Sequence, residues 1–150
     1  MIQISHRGNI NGAIPELENS PDYIVKAIDK GFDVEIDVWI KNNIIYFGHD
    51  KPQYLISPEL FYKVRDHAWF HCKNLDALNH FIKFYPTTRF FWHQEDMFTL
   101  TSNNYIWTYP GNALSENSII VYLGQHKEVQ FNPEPFAICS DYCYTNIEEK

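Results

Sequence analysis

The spacing of strand-like runs constrains this chain more than any other feature. Roughly eight short apolar or β-branched runs fall within 150 residues, and the distance between them shrinks along the chain. In the first half they alternate with helix-like segments, the pattern of parallel strands joined by helical crossovers. Ile2 to His6 reads as a strand. Ser20-Pro21-Asp22 has the chemistry of a helix start, with proline in the first turn. Tyr23, Ile24, Ala27 and Ile28 give that helix an apolar face, and Gly31 stops it. Val34 to Ile40 is a second strand, turned at Lys41-Asn42-Asn43 into Ile44–Phe47. Ser57-Pro58-Glu59 opens a helix reaching about Asp66. Ala68 to Lys73 is strand, Leu75 to Phe84 helix and Arg89 to His93 strand. Beyond His93 the candidate strands are Tyr105–Tyr109, Ser118–Leu123, Glu128–Phe131 and Phe136–Asp141. They lie too close together for crossover helices, which take about a dozen residues each. The fold these spacings predict is α/β: a compact TIM-like (β/α) barrel, one domain over residues 1–150, with reduced helices in its second half. An open α/β sheet is the alternative.

Composition narrows the partners. A formal charge of −7 argues against nucleic acid, whose binding rests on Lys and Arg. No apolar run approaches the ~20 residues of a membrane span, and the opening residues read as a strand rather than a leader. Cys72, Cys139 and Cys143 form an odd set without paired spacing, which suits buried thiols in a reducing cytoplasm. Eleven Phe, ten Tyr and four Trp predict a bulky core. The acidic tail Glu148-Glu149-Lys150 reads as solvated and unstructured.

Within this frame two histidines, each beside a glycine, bracket an acidic pair. Residues two apart on a strand share a face, so Glu35 and Asp37 point together while Val34, Ile36 and Val38 point the other way. Two carboxylates on one face form part of a cage for Mg²⁺ or Ca²⁺. His6 stands at the end of the first strand, where Gly8 allows a sharp turn and Arg7 offers phosphate a bidentate fork. His49 follows Gly48 at another strand end. Imidazoles titrate near neutrality, so the two can act as base and acid in one cycle. His93 ends the fourth strand and reads either as a substrate contact or as a structural histidine. His67 and His71 lie ~13 Å apart if both are on a strand, which argues against a two-histidine zinc site. Trp107 to Gly111, with Tyr105, reads as aromatic core ahead of a pocket lining for an organic leaving group, and His80 and His126 read as surface residues.

The segments Ile4–Gly8 (ISHRG), Leu17–Ser20 (LENS), Gly31–Val38 (GFDVEIDV) and Phe47–Asp50 (FGHD) resemble the glycerophosphodiester phosphodiesterase family. Lys73, in HCKN, resembles that family's third-strand lysine, and Cys139–Tyr142 its last strand; residues 94–135 resemble nothing in it. The resemblance implies a TIM-like barrel that hydrolyses a small phosphodiester with one divalent metal ion. It implies His6 and His49 as base and acid, Glu35 and Asp37 as metal ligands, and Glu18, beside the site, as a further candidate to help hold the metal. Arg7 and Lys73 would stabilise phosphate oxygens. One position departs from the pattern: His71 stands where the family carries a glutamate metal ligand. If His71 ligates, preference shifts from Mg²⁺ or Ca²⁺ toward Mn²⁺ or Zn²⁺. Two other readings stay open. One is a phosphate- or metabolite-binding module without turnover. The other is a phosphodiesterase or lyase acting on a lipid or glycan-linked diester, with residues 51–56 as an apolar rim. A barrel wall bare of helices over residues 103–141 also predicts a homodimer through that side.

Overall fold

The computed structural model describes residues 1–145; the acidic tail at 148–150 lies outside the described residues. β1 (Ile2–His6) is followed by α1 (Pro21–Asp29), β2 (Asp33–Lys41), and the short antiparallel arms β3 (Ile44–Phe47) and β4 (Tyr54–Leu55). Next come α2 (Pro58–Val64), β5 (Ala68–Cys72), α3 (Leu75–Phe84) and β6 (Arg89–Phe91). The remaining elements are all strands: β7 (Phe98–Leu100), β8 (Ile106–Thr108), β9 (Ser118–Val121) and β10 (Ala137–Ser140).

Local chemistry explains where the helices begin. Pro21 and Pro58 occupy first-turn positions, where a missing N–H costs nothing. Ser57 Oγ accepts from the Leu60 N–H at 3.2 Å, and Asn74 Oδ1 accepts from Ala77 N–H at 3.0 Å. Asn74 also bonds the backbone of Ile40 in both directions, pinning the start of α3 to β2.

The ten strands form one mixed sheet that rolls into a half-barrel, and this corrects the expected alternating (β/α) barrel. β6, β5, β2, β1, β10, β9 and β8 run parallel in that spatial order, while β3, β4 and β7 are antiparallel additions. Among the described residues, three α-helices of nine, seven and ten residues cover only the first half. No ladder joins β6 to β7 among the described residues. The gap is bridged by the Ser102 N–H donating to the Phe90 carbonyl at 2.8 Å and the Phe90 N–H donating to Ser102 Oγ at 2.9 Å. The physical reason is chain length: six residues separate β6 from β7 and five separate β7 from β8, enough for a hairpin but not for a crossover helix. Residues 128–131, read as a strand from the sequence, belong to no strand, whereas Phe98–Leu100 and Tyr54–Leu55 do.

Alternation along the strands builds two apolar layers. Val34, Ile36 and Val38 face outward with Phe61, Phe70 and Phe81 beneath the helices. Ile4, Trp69, Phe91, Trp107, Ile119 and Cys139 pack inside the curve of the sheet. Phe91 stacks on Trp107 with ring centroids 4.4 Å apart. At the end away from the site, Asp33 accepts from Trp69 Nε1 at 3.1 Å and Arg89 Nη1 at 3.0 Å, closing the interior. The helix-free wall is not bare: the outward Ile120 and Ile138 are 4% and 0% exposed. His126, expected at the surface, is buried and its Nε2 hydrogen-bonds the Tyr142 carbonyl at 2.8 Å. His80 is half-buried. All three cysteines are free and buried, with burial pushing Cys72 and Cys143 up to about 12. Among the described residues, no helix is long and apolar enough to cross a membrane.

Candidate functional site

The strands leave their inward, chemistry-bearing side chains at one end of the half-barrel, around a cavity of about 500 Å³. In the parallel ladders His6 lies opposite Glu35, and Asp37 opposite His71. Three adjacent strands, β1, β2 and β5, therefore bring these four residues together from positions up to 65 apart in sequence. His6, Arg7, Glu35, His49, His71 and Lys73 all line the cavity, as does His93.

The carboxylate pair is deeply buried, Glu35 at 3% exposure and Asp37 at 0%. Glu35, Asp37 and His71 each offer a ligand atom within 4.8 Å of the others. Asp37 Oδ1 and Glu35 Oε2 have no hydrogen-bond partner, although buried polar atoms are almost always satisfied. Asp37 is otherwise clamped: Asn19 Nδ2 donates to its Oδ2 at 2.9 Å, and its backbone N–H donates to Asn19 Oδ1 at 3.0 Å. Burial, then the adjacent Asp37, raises Glu35 well above the usual carboxylate range. Burial acts on Asp37 in the same direction. There it is outweighed by hydrogen bonds from His49 and His71 when these carry the proton, and by the charge of Arg7, which hold Asp37 well below that range. Two orphaned carboxylate oxygens beside an imidazole nitrogen fit a divalent cation.

The two bracketing histidines are held in opposite tautomers. His6 Nδ1 lies 2.7 Å from Asp141 Oδ1. An ionised carboxylate only accepts, so Nδ1 carries the hydrogen and Nε2 presents a lone pair to the cavity. Burial alone would raise Asp141, but hydrogen bonds from His6 and Asn9, with the nearby cations, keep it below the ordinary range. Asn9 Nδ2 donates to Asp141 Oδ1 at 2.9 Å and to Glu18 Oε1 at 3.0 Å, fixing that partner in turn. At His49 the donor is Arg7 Nη2, 2.8 Å from Nδ1. Guanidinium cannot accept, so in neutral His49 the hydrogen sits on Nε2.

Arg7 is consequently an anchor. Its Nη1 donates to Glu18 Oε2 at 3.1 Å and its Nε lies 3.0 Å from Asp37 Oδ2, an ion pair without hydrogen-bond alignment. The sharp turn carrying it needs Gly8, at φ +95°, where a Cβ would meet the Tyr23 ring at 2.6 Å. Gly48 has the same role ahead of His49, since a Cβ there would collide with the Lys51 carbonyl. Glu18 lies with Arg7 and Asn9 and outside the three-residue cluster. His93 forms wall: its ring stacks on Tyr109 with centroids 3.8 Å apart, Nε2 bonds the Asp96 carbonyl, and its own carbonyl receives His71 Nε2. His67, in the 3₁₀ turn Arg65–His67, is exposed and stands apart from the cluster.

Sequence reading missed Asp141, Asn9 and Asn19 as working parts. Asn19 carries a faint signal, because asparagine tolerates the left-handed φ of +64° found there. Asp141 carries none, its partner being 135 residues away. Comparison with protein families, curated proteins and solved structures finds no match to this chain, so the pocket is read from its own geometry.

Proposed function

We propose that the chain is a metal-dependent phosphodiesterase that cleaves a small, glycerophosphodiester-like substrate by general acid–base catalysis. The observation that carries this reading is the pair of fixed, opposite tautomers flanking the carboxylate cluster: a bare Nε2 on His6 and an Nε2–H on His49. His6 Nε2 takes the proton of the attacking hydroxyl, with Asp141 stabilising the imidazolium that forms. His49 Nε2–H protonates the leaving alcohol oxygen, and the Arg7 guanidinium on Nδ1 holds the ring in place. Lys73, lining the cavity, faces the phosphoryl oxygens. Glu35, Asp37 and His71 would hold the cation. When bound, a divalent ion neutralises charge on the phosphoryl oxygens and so lowers the barrier to in-line displacement.

The likeness of residues 4–50 and of Lys73 to glycerophosphodiester phosphodiesterases supports the same chemistry, and the 500 Å³ cavity suits a small substrate. Three free, buried thiols suit a reducing cytoplasm. The test is alcohol release from a panel of glycerophosphodiesters with Mg²⁺, Ca²⁺, Mn²⁺ or chelator, run beside His6→Ala and His49→Ala. Metal-dependent release abolished in both variants is the expected result. Release that survives both substitutions, or none with any metal, overturns the reading.

A further inference from the structure

We infer, resting on the metal-dependent reading of this pocket, that the Glu35–Asp37–His71 cluster is built for a borderline transition dication of the Mn²⁺, Co²⁺ or Zn²⁺ class. His71 ligates it through Nδ1, and Mg²⁺ and Ca²⁺ are disfavoured. The identity of the donor atom follows from the far side of the ring. His71 Nε2 lies 3.1 Å from the His93 carbonyl oxygen, and a carbonyl can only accept, so Nε2 carries the hydrogen. Neutral His71 therefore turns a lone pair on Nδ1 toward Asp37 Oδ1 at 3.1 Å and Glu35 Oε1 at 3.7 Å. Three acceptors converge on one point, and a cation between them satisfies all three at once. Asp37 Oδ1, fully buried and without a hydrogen-bond partner, faces that point.

The imidazole cannot withdraw to leave an all-oxygen site. Its side chain is 12% exposed and its ring lies against Phe91, centroids 5.0 Å apart and planes 13° from parallel. Its strand is registered on β2 with His71 directly opposite Asp37. An N–H on a backbone carbonyl behind a ligating nitrogen is the usual outer support of a metal-bound histidine, since it fixes the tautomer and ring orientation. Hard cations take oxygen ligands, whereas imidazole suits the later first-row ions, so one fixed nitrogen among two carboxylates sets the preference.

Equilibrium dialysis of the full chain against mixed metals, read by elemental analysis, tests the preference without substrate. Wild type is expected to retain one equivalent of Mn²⁺, Co²⁺ or Zn²⁺ through a large Mg²⁺ or Ca²⁺ excess, and His71→Glu to reverse the order. In the Co²⁺-loaded protein the Nε2–H should give a hyperfine-shifted, slowly exchanging proton resonance. His71→Gln, which keeps an uncharged polar side chain at this position, should lose that resonance while circular dichroism stays native. Equal retention of Mg²⁺ and Mn²⁺ that depends on Glu35 and Asp37 overturns the inference and leaves the phosphodiesterase reading standing. Selective retention with no turnover of any phosphodiester overturns the enzyme reading and leaves the inference standing. Retention of no dication overturns the inference, and turnover measured in chelator then decides the other reading.

Discussion

The two halves of the half-barrel divide the work. Residues 1–93 contribute the cations, carboxylates and histidines of the pocket on strands backed by helices. Residues 94–145 contribute Trp107, Tyr109, Val121, Leu123 and Cys139 as wall, plus a single charged partner, Asp141. Helical backing explains the contrast. In the first half a dry layer of Ile36, Val38, Phe61, Phe70 and Phe81 anchors the outer face of β2 and β5. Their inner faces are then free to carry charge at fixed positions. The second half lacks that backing and packs from inside against the first, Trp107 stacking on Phe91 and meeting Trp69. Helical backing thus comes from the first stretch of chain alone, while the apolar layer inside the curve is shared by both.

Variants that spare one half while damaging the other break or sharpen this division. The largest effect belongs to the proton-transfer pair: His6→Ala or His49→Ala lowers turnover about 10²–10⁴-fold. Native circular dichroism and unchanged metal retention are expected beside that loss, and a matching loss of fold would sink the assignment. Next is Trp107→Ala, which removes a side chain 2% exposed in the inner layer and costs about 3–5 kcal/mol of stability in a denaturant titration. Metal affinity of the molecules that remain folded should hold, because none of the three ligands lies in that half. If affinity fell in step with stability, the halves would not be separable.

Asn19→Gly comes third. Glycine keeps the positive φ and deletes the clamp on Asp37, so metal affinity falls about 10–100-fold, and the orphaned Asp37 N–H costs about 1–3 kcal/mol of stability. The smallest effect reaches across the halves. Asp141→Asn leaves His6 a partner without charge, so the loss in turnover is milder than for His6→Ala. The same substitution reads out stability. The folded-state pKa of Asp141 lies below its unfolded value, so its contribution is complete above the ordinary aspartate range and disappears as pH drops through the lowered value. Wild type should lose stability over that acid window, and Asp141→Asn should lose less.

How much of this could be read from the sequence follows the same line. Alternation over residues 33–40, the prolines at 21 and 58 and the residues capping them are local signals, and the elements they predict are present. Glu35 and Asp37 are legible as same-face residues because strand periodicity is local too, whereas His71 joins them through the register of β5 on β2. What failed was non-local. Three-residue strands such as Phe98–Leu100 carry too short a pattern to register, and their pairing is decided by β8. The alternating barrel failed because the apolar runs beyond Phe91 pair edge to edge or in hairpins without the helices such a barrel requires. The burial of His126 depends on Tyr142, sixteen residues on, which no local pattern records.

The parallel pairing of β1 with β10 has a consequence for biosynthesis. Strand β1 is made well before its neighbour β10 and the carboxylate that orients His6, Ile2 pairing with Ala137 and His6 with Asp141. A nascent chain paused after β6 already holds Glu35, Asp37 and His71, and so has the residues to capture a metal ion. Its base would still be untethered and the inner apolar layer open to solvent. On the phosphodiesterase reading, activity therefore waits for β10 and Asp141, and truncation upstream of Asp141 should leave a species that sequesters metal without turning over substrate.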